Sequence, residues 1–274
     1  MDQATSWPSS VPPRVNLDQP SAARMYDYYL GGAHNFAVDR EAAERAIAAL
    51  PATVAGARTN RAFLQRAVRF LVESGVRQFI DLGSGIPTSG NVHEVAQHID
   101  PGVRVVYVDI DAVAVTHGQS VLDGNERCAF LHADMRDVRE VMGSPEVRKQ
   151  IDFSQPVGLL MVAVLHFVPD SDGLLDIIAR YREELPVGSH LALSHMSMTG
   201  QPREFLERFA AVYSNTANPV MLRSREEIDG LFQGFELVEP GVVTLPLWRP
   251  DGISYFAEDP ERFPGFAGVA RKMD

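Results

Sequence analysis

Three carboxylates recur along the middle of the chain, each closing an apolar run: Asp81 in FIDLGSGIPTSGN (79–91), Asp109 in VVYVDID (105–111) and Asp134 in FLHADMRD (130–137). Gly83 and Gly85, on either side of Ser84, let a backbone turn sharply and approach a ligand closely. A loop that leads from strand to helix also offers free N–H groups to an anion such as a carboxylate. Asp81, just before that loop, accepts a hydrogen bond from an ammonium group and repels a phosphate. An amino-acid zwitterion satisfies both halves of this arrangement. Asp109, with Ile110 beside it, stands where an acid accepts hydrogen bonds from ribose hydroxyls, whereas Asp111 reads as the cap of the next helix. Asp134 suits the exocyclic amine of adenine, with Met135 packed on the base. Taken singly, each has a plainer reading: a tight turn without ligand, a helix cap at Asp109, a helix start at Asp134. Their succession at three strand ends favours a nucleoside that carries an amino-acid group.

Other residues have the chemistry to complete a site. His166 follows the fourth apolar run and His195 the fifth. Histidine titrates near neutrality, so either is a candidate base for a hydroxyl acceptor, with a structural hydrogen-bonding role as the competing reading. Tyr29, Gly32 and Asn35, together with Tyr26, His34 and Phe36, surround a Gly31-Gly32 pair and suit a lid over the ligand. A helix packed on the sheet edge is the alternative. Arg61 is placed to bind a ligand carboxylate or to lie exposed on a helix. Trp248-Arg249-Pro250 borders an acceptor pocket or forms a surface turn. Cys128 is the single cysteine. It excludes an intramolecular disulfide and a Cys-rich zinc site, and it reads as a small residue at a strand start.

Several function classes are disfavoured. The dinucleotide fingerprint G-x-G-x-x-G has Thr88 where its third glycine belongs, and Asp81 sits badly beside a pyrophosphate. No Walker sequence is present. A formal net charge of −11 argues against a nucleic-acid partner. The longest apolar run, 157–165, is about half of what a membrane span needs. The N-terminal residues lack the basic and apolar regions of a secretory signal. Together these point to a soluble protein of the reducing cytoplasm.

The elements that must position these residues follow from periodicity. With 274 residues, 45% of them hydrophobic, the chain can bury a large α/β core. Residues 1–18, polar and Pro-rich, read as a flexible tail, 19–58 as an N-terminal helical cap and 59–274 as the main domain. Helices are predicted over 20–30, over 39–50 with Asp39 as its cap, and over 59–74. Strands over 78–82, 103–109, 129–134, 156–165 and 190–194 then alternate with helices over 91–97, 111–121 and 172–184. Helices at 203–213 and 224–232 and strands at 235–238 and 265–271 complete the chain. This alternation implies a Rossmann-like sheet of seven strands, mostly parallel, with an antiparallel last strand.

The same residues resemble the class I S-adenosylmethionine-dependent methyltransferases. D-L-G-S-G (81–85), V-D-I-D (108–111) and A-D-M-R (133–136) are similar to that superfamily's first three motifs. L-H-F-V-P-D (165–170) resembles its segment after strand four, and L-P-V-G-S-H-L (185–191) its turn into strand five, of whose glycines Gly188 remains. The N-terminal P-S-A-A-R-M-Y-D-Y-Y-L-G-G-A-H-N-F (20–36) and N-R-A-F-L (60–64) are similar to an actinobacterial group once called domain of unknown function 574. The resemblance spans nearly the whole chain. It implies S-adenosylmethionine as cofactor and methyl transfer to a small molecule by in-line displacement, without naming the acceptor. Val157-Gly158-Leu159 departs from the polar start of strand four in many small-molecule methyltransferases. The N-P-P-Y-type motif of amino-group methyltransferases is absent. A protein that binds or senses S-adenosylmethionine without turnover, and a nicotinamide oxidoreductase, are the alternatives.

Overall fold

The computed structural model describes residues 15–88, 90–200, 202–252, 255–256 and 259–274. Most of the expected tail, residues 1–14, lies outside them. Three helices lead the chain: α1 (Ala22–Tyr29), α2 (Ala37–Ala49) and α3 (Thr53–Glu73). Then follow β1 (Gln78–Leu82), α4 (Val92–Ile99), β2 (Arg104–Asp109), α5 (Ala112–Val121), β3 (Cys128–His132), α6 (Val138–Gly143), α7 (Pro145–Gln150) and β4 (Gly158–Val162). The chain continues through α8 (Leu174–Glu184), β5 (His190–Met196), α9 (Arg203–Tyr213), α10 (Arg225–Gly230), β6 (Glu236–Leu237), β7 (Val243–Thr244) and β8 (Gly265–Arg271).

One sheet is formed in the order β3-β2-β1-β4-β5-β8-β6, with β7 also paired to β8. Strands β1 to β5 are parallel, and β8 is antiparallel to β5 as expected. The sheet has eight strands rather than seven, because the two residues of β7 add a short pairing. The chain winds outward from β1 to β3 on one side and from β4 to β5 on the other. The gap above the carboxyl ends of β1 and β4 is therefore a topological switch point, where open α/β sheets bind ligands.

Strand alternation divides the core in two. Ile80, Leu82, Val106, Val108, Leu159 and Met161 pack with α6, α7, α8 and α10. Phe79, Val105, Tyr107 and Leu160 face the other way, onto α3, α4 and α5. Both faces are covered, which accounts for strands apolar throughout. Asp81 and Asp109 extend the second set by two residues, so both carboxylates stand on the α3 side.

Several boundaries differ from expectation, each for a local reason. β4 ends at Val162 instead of 165, because Ala163 adopts φ +56° and cannot continue a strand. β5 runs on to Met196 through a seven-pair register with β8, so His195 lies inside the strand and not after it. β3 stops at His132, two residues before Asp134. Asp39 is the third residue of α2 rather than its cap, and its carboxylate accepts the Phe36 N–H at 2.8 Å. α3 starts at Thr53, so the boundary read between 58 and 59 falls inside a continuous helix.

A third cluster builds the cap. Met25 and Tyr29 of α1, Ala42, Ala43 and Ala46 of α2, and Phe209 and Tyr213 of α9 pack together. The cap thus draws on the segment after β5 as well as on the N-terminal helices. One buried cation ties it to the sheet. Arg24 Nε stands 3.1 Å from Asp39 Oδ1 and 3.9 Å from Asp111 Oδ2, while the same guanidinium donates to the carbonyls of Asn16 and Gln19. Ser21 Oγ donates to Asp111 as well. Arg24→Met would leave the fully buried Asp39 carboxylate without its cation. Breaking a buried ion pair from one side costs about 3–5 kcal/mol, so urea unfolding should show a loss of that order. A loss below about 1 kcal/mol, the range of exposed pairs, would show that Arg24 does not hold the cap.

Candidate active site

A cavity of about 620 Å³ opens above the carboxyl ends of β1, β2, β4 and β5 and under the cap. It is lined by Asp81, Gly83, Ser84, Gly85, Asp109, Ile110, Asp134 and Met135, which the structure therefore brings to one space. Arg61, Tyr29, His166 and His195 line it too. Gly32 and Asn35 do not: the Asn35 amide donates to Asp27 Oδ2 and to the Gly32 carbonyl, which holds both in the turn after α1. Trp248 is likewise remote. It is wholly buried, edge-on to Phe63 and Phe70, with its carbonyl accepting from Arg66.

The glycine loop is shaped by its neighbours in β2. Gly83 and Gly85 have φ +65° and +67°, values that L side chains rarely adopt. Gly83 N donates to the Val108 carbonyl at 2.8 Å, and Gly85 N to Asp109 Oδ2 at 2.7 Å. A Cβ on Gly83 would meet the Val164 side chain at 2.1 Å, whereas one on Gly85 would project into open space. Asp109 Oδ1 accepts from Asp111 N at 2.8 Å. Asp109 is thus the anchor of the loop, and Asp111 is the helix cap, accepting from Val113 N and Ala114 N.

Charge is unevenly settled. Burial pushes the Asp81 carboxyl up to about 7, with Arg61 opposing and Asp109 adding to the rise. Burial also pushes Asp109 up to about 6, against its backbone N–H bonds. Asp134 differs. Burial works against its ionisation, but hydrogen bonds from Arg136 outweigh it and hold the carboxyl below its usual range. Arg136 grips both oxygens of Asp134 and reaches Asp172 at 2.7 Å. Arg61 donates to Thr88 Oγ1 at 2.7 Å, but among the described residues its Nε is buried without a partner, as is Ser84 Oγ.

The two histidines are not equivalent. His195 is saturated: Nδ1 lies 2.6 Å from the Met196 carbonyl, and Nε2 lies 2.8 Å from a nitrogen of Arg223. Burial lowers it to about 4. His166 sits in a short turn after β4, and its Nδ1 is buried without a partner among the described residues. Its imidazole is also held neutral, first by burial and then by His195 and Arg223.

Sequence reasoning missed three residues here. Arg223 bonds the carbonyls of Leu165 and Val168 and the Asp170 carboxylate, so it fixes the turn that carries His166. Asn60 accepts from Ser194 Oγ and donates to Tyr26 Oη, while Ser194 Oγ accepts the N–H of the left-handed Ala163. Their partners are distant in sequence, so no local spacing marks them.

Residues 8–273 match the profile of a family described as S-adenosyl methyltransferase. The chain belongs to this methyltransferase family. A DUF574 family protein of Streptomyces avermitilis shares its fold at TM-score 0.90 and 39% identity, over 94% of this chain and all of the other. A candidate methyltransferase from Thermobifida fusca does so at TM-score 0.88 and 41% identity, over 97% of this chain and all of the other. Mitomycin 7-O-methyltransferase, at 18% identity and TM-score 0.51 over 77% of this chain and 53% of its own, shares the fold alone. No curated protein matches. Among the described residues, no helix is long and apolar enough to cross a membrane, and no cluster of three metal-ligating side chains occurs.

This methyltransferase uses S-adenosylmethionine, and its cavity fits that cofactor. Arg24 is committed to Asp39 and Asp111, and Arg136 to Asp134 and Asp172. Among the described residues, one cation, Arg61, and two carboxylates, Asp81 and Asp109, are left facing the cavity, which complements a ligand of net positive charge. Arg61 Nε and Ser84 Oγ, without partners among the described residues, have donors to offer an anionic group, and the buried Asp81 carboxyl has an acceptor to offer a cationic one.

Two outcomes follow from this arrangement. Asp109→Ala frees the Gly85 amide and should weaken S-adenosylhomocysteine binding in calorimetry by about 10- to 100-fold, as the loss of one charged hydrogen-bonding partner does; unchanged affinity would exclude Asp109 from the site. Asp81 pairs with an ammonium only when ionised, so affinity should rise with pH through about 7 and then level. Asp81→Asn should flatten that part of the profile. In the ligand-free protein the sign reverses: the stability tied to this raised pKa is full below the ordinary carboxylate range and is lost as pH rises through about 7.

Proposed function

We propose that this methyltransferase acts on a small-molecule acceptor and that His166 receives the acceptor's proton. The observation that carries the reading is the shape of the cavity. At about 620 Å³ it is the size of a small-molecule site and lies beneath a helical cap. A protein strand or nucleic acid needs an open groove, and the net charge of −11 disfavours the latter. A single cysteine, raised to about 11 by burial, fits a cytoplasmic setting. In this reading residues 19–58 cap the main domain, and Gly32 and Asn35 shape the turn that sets the cap's angle.

The roles follow the geometry. Arg61, Ser84 and Asp81 hold the amino-acid end of the cofactor, within the turn of Gly83 and Gly85. Asp109, beside Ile110, accepts from the ribose, and Asp134 with Met135 meets the base. When bound, the cofactor supplies a sulfonium methyl for in-line displacement. The protein's part is to align the acceptor and exclude water. His166 is neutral, so its imidazole has a lone pair free to accept a proton. His195 cannot serve in this way, because both of its ring nitrogens are already hydrogen-bonded; it positions Arg223 and, through it, the turn that carries His166.

Incubating the protein with S-adenosylmethionine and a macromolecule-free filtrate of a cell extract should release S-adenosylhomocysteine. Release only with the retained macromolecules would contradict a small acceptor. Once an acceptor is in hand, His166→Asn should lower turnover by about 10²–10⁴-fold, the usual contribution of a positioned base. His195→Asn should act mainly through the thermal midpoint.

A further inference from the structure

The cavity has two chemically distinct ends. Its charged side chains are Arg24, Arg61, Asp81, Asp109, Asp111 and Asp134, all at the ends of β1 to β3 or on the helices facing them. The wall supplied by the last residue of α1, by α9, the turn after β4, the end of β5 and the segment before β8 carries Tyr29, Phe167, Met196, Phe209, Tyr213 and Phe263 instead. No Lys, Arg, Asp or Glu lines it among the described residues. The histidines there are held neutral by burial.

Hydrogen-bonding capacity in this second end is also mostly spent. The chain from Ala163 N through Ser194, Asn60 and Tyr26 ends on the Ala57 carbonyl, so each member has a partner. Two groups have capacity left. His166 Nδ1 is buried with no hydrogen-bond partner among the described residues. Tyr29 Oη and Tyr213 Oη lie 3.0 Å apart and share one proton between them. Two phenols carry two protons, so the pair has one O–H with no acceptor among the described residues. Both phenols stay protonated, since burial raises Tyr29 and pushes Tyr213 up to about 12.

We infer that the methyl acceptor is an uncharged, largely apolar and aromatic molecule, bound against Phe167, Phe209 and the Tyr29–Tyr213 pair, with an oxygen that accepts the spare phenol proton. A carboxylate or ammonium in this chamber would meet no opposite charge in a low-dielectric wall, and an unpaired buried charge is strongly disfavoured. Aromatic rings, by contrast, gain area burial and ring contacts from the Phe167, Phe209 and Tyr213 cluster. The inference rests on the small-molecule reading and narrows it to a class.

The test uses the whole protein saturated with S-adenosylhomocysteine and two probes of the same ring system, 2-naphthol and 2-naphthoate, titrated by calorimetry at neutral pH. Naphthol should bind, and naphthoate at least about tenfold more weakly. Tyr29→Phe and Tyr213→Phe should each leave naphthol affinity within about twofold, because either remaining phenol still has a proton to give. The double variant should lose about 2- to 10-fold, the worth of one neutral hydrogen bond. Naphthoate binding as tightly as naphthol, or no naphthol binding at its solubility limit, overturns the class. An unchanged double variant overturns the role of the phenol pair. If the double variant fails to fold, as judged by the thermal shift with S-adenosylhomocysteine, the comparison of the two probes on the parent protein still decides. Failure of S-adenosylhomocysteine itself to bind would instead strike the cofactor assignment.

Discussion

A carboxylate buried at the end of a strand is costly unless backbone N–H groups meet it, and Asp109 shows how the site is built around that constraint. Its two oxygens take one amide from the glycine loop and one from the entry to α5. The same pair of bonds therefore sets the loop after β1 and the turn after β2. Asp81, on the neighbouring strand and the same face, receives no such amides and is pushed further toward its protonated form. The asymmetry leaves Asp81 as the acid with unmet need, beside Arg61, whose Nε, like the Ser84 hydroxyl, has no partner among the described residues. A zwitterion would satisfy all three at once, whereas a pyrophosphate would meet the two donors and leave Asp81 facing a like charge.

The cap depends on the same stretch of backbone. Asp111, two residues from Asp109, both caps α5 and receives Arg24 and Ser21 from the first turn of α1. The floor of the cavity beside β2 and the docking of its roof share one short segment, VDID. Loss of the cap would thus be felt by the turn after β2, and rearrangement of that turn by the cap. His34 of the turn after α1 stacks on His117 of α5 at 3.6 Å, a second contact across the same seam.

Much of this was legible in the sequence, and the reasons are local. The strands β1, β2 and β8 follow from their own apolar runs, and the three acids that line the cavity follow from their place near the close of those runs, although β3 itself stops two residues short of Asp134. The family resemblance added the cofactor, which the spacing alone had left as a nucleoside with an amino-acid group. The residues that escaped notice act at long range. Arg24 reads as one more cation on an amphipathic helix until Asp111 is folded beside it, 87 positions later. Arg223 has no motif; its meaning lies in the carbonyls after β4. Conversely, Asn35 and Trp248 carry side chains that suit a site, yet packing commits them elsewhere. The end of β4 was misplaced because its apolar run continues past Ala163, and only the backbone dihedral there reveals the turn.

That turn links the fold to the chemistry. A non-glycine residue at φ +56° costs about 1–2 kcal/mol, and the surroundings must hold it there. Ser194 does so from β5, accepting the Ala163 N–H at both its hydroxyl and its carbonyl oxygen, and its hydroxyl donates in turn to Asn60 of α3. The chain leaves the sheet at Ala163 and re-enters the cavity wall with Val164, His166 and Phe167. Val164 fills the space beside Gly83, so the glycine loop and the turn after β4 interlock. Arg223 then pins the far side of the turn through the Leu165 and Val168 carbonyls. The boundary between the charged end of the cavity and its aromatic end lies along this strained turn, and its position is set by α3, β5 and the segment after α9 acting together.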